Sequence, residues 1–242
     1  KGASGTKIYQ CRLDDGGMYA AKCLNTRNMC KADIDRVRKE REIMEELPFH
    51  RNLIHYIGHS ESDDKIYIFM NLHNKSLFEY LEEVNKNNDF VPLHDVIRMS
   101  IDVLTGLVML HERSIIHRDI KSANVFVNYD SDDVVSYLTL GDFDTAKKIV
   151  SVDGTKTCVG TPLWCAPEVY NFGNSGTTNY SFSADIWSFG MLMYEMMTCK
   201  LPFHNVNSSF GYMSKIFNGE MPDLTDEQKQ RYGPILEHWT VV

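Results

Sequence analysis

His117-Arg118-Asp119-Ile120-Lys121-Ser122-Ala123-Asn124 is the densest polar stretch of this chain, and it runs directly into the β-prone residues Val125-Phe126-Val127. A single loop there presents a carboxylate, an amine and an amide. Asp119 is suited to accept a hydroxyl proton, Lys121 to stabilise charge in transfer, and the amide oxygen of Asn124 to bind a hard cation. Eighteen residues after Asn124, Gly141-Asp142-Phe143-Asp144 brings another carboxylate to the end of a second β-prone run, Tyr137 to Gly141. Asn124 and Asp142 together suit Mg2+, which takes few protein oxygens and fills its shell with water and substrate phosphate. Either piece alone reads as an ordinary polar loop; both at this spacing do not.

Upstream, the pattern is β-rich. Thr6 to Leu13 and Met18 to Leu24 flank Asp15-Gly16-Gly17, a hairpin signal. Before the hairpin stands Gly2-Ala3-Ser4-Gly5, a glycine turn that lets backbone N–H groups approach phosphate where a Cβ would block them. On the second strand Ala20 and Lys22 share a face, the small residue leaving room for a flat ligand and the lysine reaching an anionic group. Residues 32–47 have helical spacing. Glu40 has Val37, Ile43 and Met44 at i−3, i+3 and i+4 and so lies on the apolar face, whereas Glu42 lies among charges. An inward carboxylate needs a partner, and Lys22 is the natural one.

Lys65 to Leu72 reads as a further strand, and Asn124 to Asn128 as another. Helical patterns follow over 94–112, 183–198 and 208–218. The helix at 183–198 is apolar nearly all round and belongs at the centre of its lobe. A β-rich first third and a helical remainder give an α+β chain of two lobes, residues 1–72 and 73–242, joined near Leu72 to Lys75. The chain opens inside a motif and its last residues, Glu237 to Val242, read as part of an uncapped helix, so a domain truncated at both ends is expected.

Composition narrows the partners. The 242 residues carry 25 Lys+Arg against 33 Asp+Glu, a net charge of −8, which argues against nucleic acid. No apolar run reaches the roughly 18–20 residues of a membrane span. Six irregularly spaced cysteines make neither a disulfide framework nor a CxxC metal pair, and a reducing, cytoplasmic compartment is expected.

With these residues in register, the chain resembles a eukaryotic protein kinase catalytic domain over nearly its whole length. Gly2 and Gly5 are similar to the last glycines of the phosphate-covering loop, Ala20 and Lys22 to the strand-three pair, and Glu40 to the helix-C glutamate. His117-Arg118-Asp119 through Asn124 resembles the catalytic loop, Asp142-Phe143 the start of the metal-binding triplet, and Ala166-Pro167-Glu168 the motif closing the activation segment. Asp185, Trp187 and Gly190 resemble the start of the family's central helix. The resemblance implies the bilobal kinase fold, a small antiparallel sheet with one helix above a larger helical lobe.

It also implies ATP and Mg2+ as the bound species and a protein hydroxyl as acceptor. Lys22, held by Glu40, would orient the α/β-phosphates; Asn124 and Asp142 would hold Mg2+. Asp119 would receive the hydroxyl proton, with Lys121 beside the transferring phosphate and Thr161 in the substrate platform. Met70 falls at the gatekeeper position, and backbone groups of Asn71 and His73 would meet the adenine edge. Lys121-Ser122-Ala123 and Gly160-Thr161-Pro162 are similar to serine/threonine kinases, while Asp119-Ile120-Lys121-Ser122 leans toward tyrosine-kinase-like or mixed-lineage relatives. A pseudokinase acting as a scaffold is the alternative, and a small-molecule kinase is disfavoured by the peptide-platform segment Gly160 to Glu168.

Three departures from the family stand out. Asp144 replaces the triplet's glycine, which is expected to disfavour a flip of Phe143 and leaves two readings of its carboxylate, one that changes metal affinity and one that points to solvent. Lys7 stands where a valine covers the adenine: its stem is expected to pack there, with Ile8 the alternative after a one-residue slip. The arginine that the family pairs with Glu168 lies beyond the last residue. Arg118 implies activation by a phosphate from an upstream kinase or self-association, on Ser151, Thr155 or, first, Thr157.

Overall fold

The computed structural model describes residues 6–149, 160–170 and 181–237. The first lobe is built from β1 (Lys7–Arg12), β2 (Met18–Asn25), α1 (Lys31–Glu46), β3 (Tyr56–Ser62) and β4 (Lys65–Asn71). Its strands form an antiparallel sheet in the order β1-β2-β4-β3. The β1–β2 turn closes on Asp15, whose carboxylate accepts the Gly17 N–H at 2.8 Å and the Tyr19 hydroxyl at 2.6 Å. In β4 alternate residues are buried: Ile66, Ile68 and Met70 point to α1, which returns Val37, Ile43 and Met44. A period-2 strand face against a period-3.6 helix stripe makes this core.

The second lobe starts with β5 (Lys75–Ser76) and α2 (Leu77–Lys86), whose N-terminus carries a reciprocal cap between Ser76 and Glu79. Then come α3 (Leu93–His111), β6 (Ile115–Ile116), β7 (Val125–Tyr129), β8 (Val135–Leu140) and β9 (Lys147–Lys148). β5, β7 and β8 form one small antiparallel sheet, β6 and β9 another. The rest is helical: α4 (Pro167–Tyr170), α5 (Phe182–Thr198), α6 (Ser209–Phe217) and α7 (Asp226–Leu236). Leu192, Met196 and Met197 of α5 join Val103, Leu107 and Leu110 of α3 in the main core, so α5 occupies the expected centre. It is not buried all round, because Ile186 is 48% exposed.

The lobes are joined by more than the link after β4. Leu140 at the end of β8 donates its N–H to the Asn52 carbonyl at 2.9 Å, and its own carbonyl accepts the Ile54 N–H at 2.8 Å. The side chain of Asn52 donates to Asp102 of α3 at 2.9 Å and to the Leu138 carbonyl at 2.7 Å. Asp102 also accepts the Leu138 N–H at 2.9 Å, so this buried carboxylate has its partners. Gly106 of α3 is pressed against the joint; a Cβ there would lie 2.9 Å from the Asn52 carbonyl oxygen.

The expected helices at 32–47, 94–112, 183–198 and 208–218 match α1, α3, α5 and α6 to within one residue at each end. α7 had no counterpart in the sequence reading, because Pro234 and Gly233 interrupt its pattern. Its Thr225–Gln228 cap nevertheless fixes the start. The helix expected through Glu237 to Val242 ends at Leu236, Glu237 lies in a turn, and 238–242 fall outside the described residues.

Candidate active site

Lys22 sits on β2 opposite Ile68, with its ammonium only 2.7 Å from Oε1 of Glu40 on α1. Both residues are buried. The same ammonium lies 3.4 Å from Asp142 and donates to Asp144. Three carboxylates therefore converge on one lysine, with ligand-capable oxygens of Glu40, Asp142 and Asp144 within 4.8 Å of one another. Burial works against a charged Lys22, but the combined pull of Glu40, Asp142 and Asp144 outweighs it and raises the amine's pKa. Burial also raises Glu40 well above the ordinary carboxylate range, against the opposing pull of Lys22. Asp144 goes the other way: burial is outweighed by hydrogen bonding toward Glu40 and by Lys22, and its pKa falls.

The stretch that begins at His117 is held by α5. Oδ2 of buried Asp185 accepts the His117 N–H at 2.9 Å and Oδ1 accepts the Arg118 N–H at 2.8 Å, while Nε2 of His111 faces Oδ2 at 2.9 Å. Those two bonds allow the loop its left-handed residue, Arg118 at φ 68°. His117 is fully buried, and its Nε2 lies 3.0 Å from the Gly141 carbonyl, an acceptor only, so that nitrogen carries the proton. His117 thereby ties the loop to the end of β8. Its ring packs against Phe143, also fully buried, at 5.3 Å between centroids. Asp142 is left-handed as well, at φ 60°, and such outliers cluster at functional sites.

Asp119 stands at the centre of a hydrogen-bonded triangle. Lys121 donates to its Oδ2 at 2.7 Å, Thr161 donates to its Oδ1 at 2.7 Å, and Lys121 also reaches Thr161 at 2.6 Å. The Asn124 amide donates to Oδ2 and to the Asp119 carbonyl, both at 2.9 Å. Burial opposes the charge of Asp119, yet the Lys121 and Thr161 bonds hold its pKa below the usual carboxylate range. Because Nδ2 of Asn124 is committed to Asp119, its oxygen is the atom left for a cation. With Asp142 it offers hard oxygen donors, and Oε2 of Glu40 is a buried acceptor that no donor reaches among the described residues. Such a donor set fits a hard divalent cation.

Lys22, Glu40, Met70, Asn124, Asp142 and Asp144 line one cavity between the lobes, together with Ile8, Ile54 and Phe126. Asp119 borders it through Asn124. Ala20 lies beside Met70 in the register of β2 and β4 and is buried behind that lining. Asn71 and His73 fall at the edge: the Asn71 N–H goes to the His55 carbonyl at 3.1 Å, and the His73 ring stacks on Phe126 with Nδ1 2.9 Å from Asn128. Gly2 and Gly5 lie outside the described residues, as do Ser151, Thr155 and Thr157.

One expectation is corrected. Ile8, not Lys7, faces the cavity, and Lys7 points to the opposite side of the sheet with Tyr9, Cys11 and Cys23. Ile8 pairs with Lys22 and Lys7 with Cys23, so strand alternation places Ile8 on the face of Lys22. A larger hollow on the Lys7 side lacks the convergent carboxylates and ammonium of the cleft.

A buried group that the sequence reading passed over is Glu195 of α5. It accepts the Ser122 hydroxyl at 2.6 Å, the Ser122 N–H at 3.2 Å and the Trp164 indole N–H at 2.8 Å. It thus ties the loop of Asp119 to the segment after Thr161. A charged residue inside the apolar run Met191 to Met197 was the available signal.

Comparison with known proteins agrees with this geometry. The model of the protein kinase domain family matches residues 1–234. Kinase and exchange factor for Rac B of Dictyostelium discoideum is 33% identical over 98% of this chain, which covers 21% of that protein. Mitogen-activated protein kinase kinase kinase 1b of Physcomitrium patens is 35% identical over 97% of the chain, covering 30% of that protein. MAP3K epsilon protein kinase 1 of Arabidopsis thaliana is 32% identical over 93%, covering 16%. The chain thus spans less than a third of each of these three relatives. A family match of this extent, laid over a site in which Lys22 meets Glu40 and Asp119 meets Lys121 and Thr161, means that the chain belongs to the protein kinase domain family.

Proposed function

We propose that this domain transfers the terminal phosphate of Mg2+-bound ATP to serine or threonine hydroxyls of a protein. The observation that carries the reading is the pairing of two constellations: an ammonium held by Glu40 in the cleft, and a carboxylate held by Lys121 and Thr161 that Asn124 of the cleft lining bonds to. Lys22 would hold non-transferring phosphates. Asn124 and Asp142 would hold Mg2+, which when bound neutralises phosphate charge. Lys121, already beside Asp119, would meet the transferring group. Met70 would border the base, whose edge would meet the Asn71 carbonyl and the backbone of His73, the Asn71 N–H being taken by His55.

Asp119 accepts the proton of the incoming hydroxyl at a carboxylate oxygen. Its low pKa makes it a weak base in the ground state, so its main work is to orient the hydroxyl oxygen. Proton uptake follows as that oxygen bonds to phosphorus and becomes acidic. Every position needed for this sequence is present, and no observation favours a scaffold without activity.

Two relatives bear the names mitogen-activated protein kinase kinase kinase and MAP3K, names that make a kinase the substrate. A protein kinase is therefore the substrate to test first, and a phosphate from an upstream kinase or a second copy, paired with Arg118, the means of activation. Among the described residues no helix is long and apolar enough to cross a membrane. Labelled ATP with Mg2+ and a protein or peptide library, beside an Asp119→Asn control, tests the activity. Label above the control is expected; label equal to it rejects the reading.

A further inference from the structure

An ammonium has three N–H donors, and Lys22 has spent all of them. One goes to Glu40 at 2.7 Å, one faces Asp142 at 3.4 Å, and one goes to Asp144. Asp144 stands where the family's triplet has a glycine, so the third donor would there be left for a ligand. With it, three carboxyl groups face one ammonium. The carboxylates of Asp142 and Asp144 are both more than a third exposed to the cleft, whereas Lys22 is nearly closed off beneath them.

We propose that Asp144 acts as an internal anion that competes with nucleotide phosphates for Lys22, so that nucleotide binds tightly only when a divalent cation accompanies it. The inference rests on the reading of this cleft as a nucleotide site. A phosphate approaching Lys22 must displace the Asp144 carboxylate and then sit beside it. Without a cation, phosphate and carboxylate face each other a few ångströms apart in a partly enclosed site, where a charge pair is worth much more than in water. A bound divalent cation would offset that repulsion with its positive charge. A glycine at 144 would demand less of the cation, because one negative charge is gone and one ammonium N–H is free.

Titration of ADP into the parent chain, Asp144→Asn and Asp144→Gly tests this, each with excess MgCl2 and again with EDTA. Asparagine keeps the volume and loses the charge; glycine restores the family residue; melting curves establish that both variants are folded. The metal-free dissociation constant is expected to fall at least about tenfold in both variants, and the Mg2+-loaded one by less. The ratio of the two constants would then shrink. A ratio unchanged in both variants, while the parent binds ADP with Mg2+, overturns this inference alone. Absence of ADP binding by the parent and both variants under either condition overturns the nucleotide reading beneath it.

Discussion

Thr161 donates its hydroxyl to Oδ1 of Asp119 at 2.7 Å, across 42 residues of chain. This bond makes the orientation of the loop carboxylate depend on the segment that leads into α4. Without it, Oδ1 of Asp119 loses a donor and the carboxylate is free to rotate about its last torsion. Thr161→Val is therefore expected to lower kcat by about 10- to 100-fold with little change in the KM for ATP, and Thr161→Ser to recover most of it. Steady-state kinetics of the three proteins check this. A KM effect with kcat intact would mean that Thr161 serves binding instead of proton acceptance.

Among the described residues Lys22 is the cation that forms ion pairs with Glu40, Asp142 and Asp144. Lys22→Met keeps most of the length of the side chain and removes the charge, leaving Glu40 buried without its counterion. Breaking such a pair typically costs roughly 3 kcal/mol. The loss is expected to be largest at neutral pH and to shrink on acidification, because a carboxylate without its cation binds protons more readily folded than unfolded. Urea denaturation of parent and variant at several pH values checks this. A deficit that is constant with pH would assign the loss to packing.

The elements legible in sequence were those whose period is written in burial. β4 alternates buried and half-buried residues, and α1 carries Val37, Glu40, Ile43 and Met44 along one stripe, so strand, helix and the inward glutamate could all be read. β1 shows why the reading failed at Lys7. Five of its six residues are exposed, so neither alternate set carries a burial signal, and a shift of one residue exchanges the faces. The Lys22–Asp144 contact was illegible for another reason: it spans 122 residues and depends on the backbone of Asp142 being left-handed. Glu195 was legible but unread, since a carboxylate in the middle of an apolar run implies buried partners.

Gly106 offers a test of the joint between the lobes. On helix propensity alone Gly106→Ala would stabilise α3 by about 1 kcal/mol. The new Cβ, however, would meet the Asn52 carbonyl oxygen at 2.9 Å, with side chains of Leu53 and Leu140 at 3.4 Å. A backbone oxygen cannot swing aside as a side chain can, so overpacking is expected to win by a net of about 1–2 kcal/mol. Thermal unfolding measures it, and a variant more stable than its parent would show that α3 and the Asn52 segment move apart freely.

Glu195 gives the domain a distinctive pH dependence. Burial, opposed by its bonds to Ser122 and Trp164, raises this carboxyl from 4.5 to about 7. Between those values the folded protein binds a proton that the unfolded chain has released, so stability falls as pH rises. The contribution is complete below about pH 4.5 and is lost as pH passes through about 7, at about 1.4 kcal/mol per unit, or about 3 kcal/mol in all. Glutamine at 195 can still accept the Trp164 and Ser122 N–H groups through its oxygen while its amide faces the Ser122 hydroxyl, and it does not titrate. Glu195→Gln should therefore flatten this part of the profile while leaving the acid-side stability nearly unchanged. Urea denaturation of the two proteins across that window decides it: parallel profiles would mean that Glu195 stays ionised throughout, carried by its three donors.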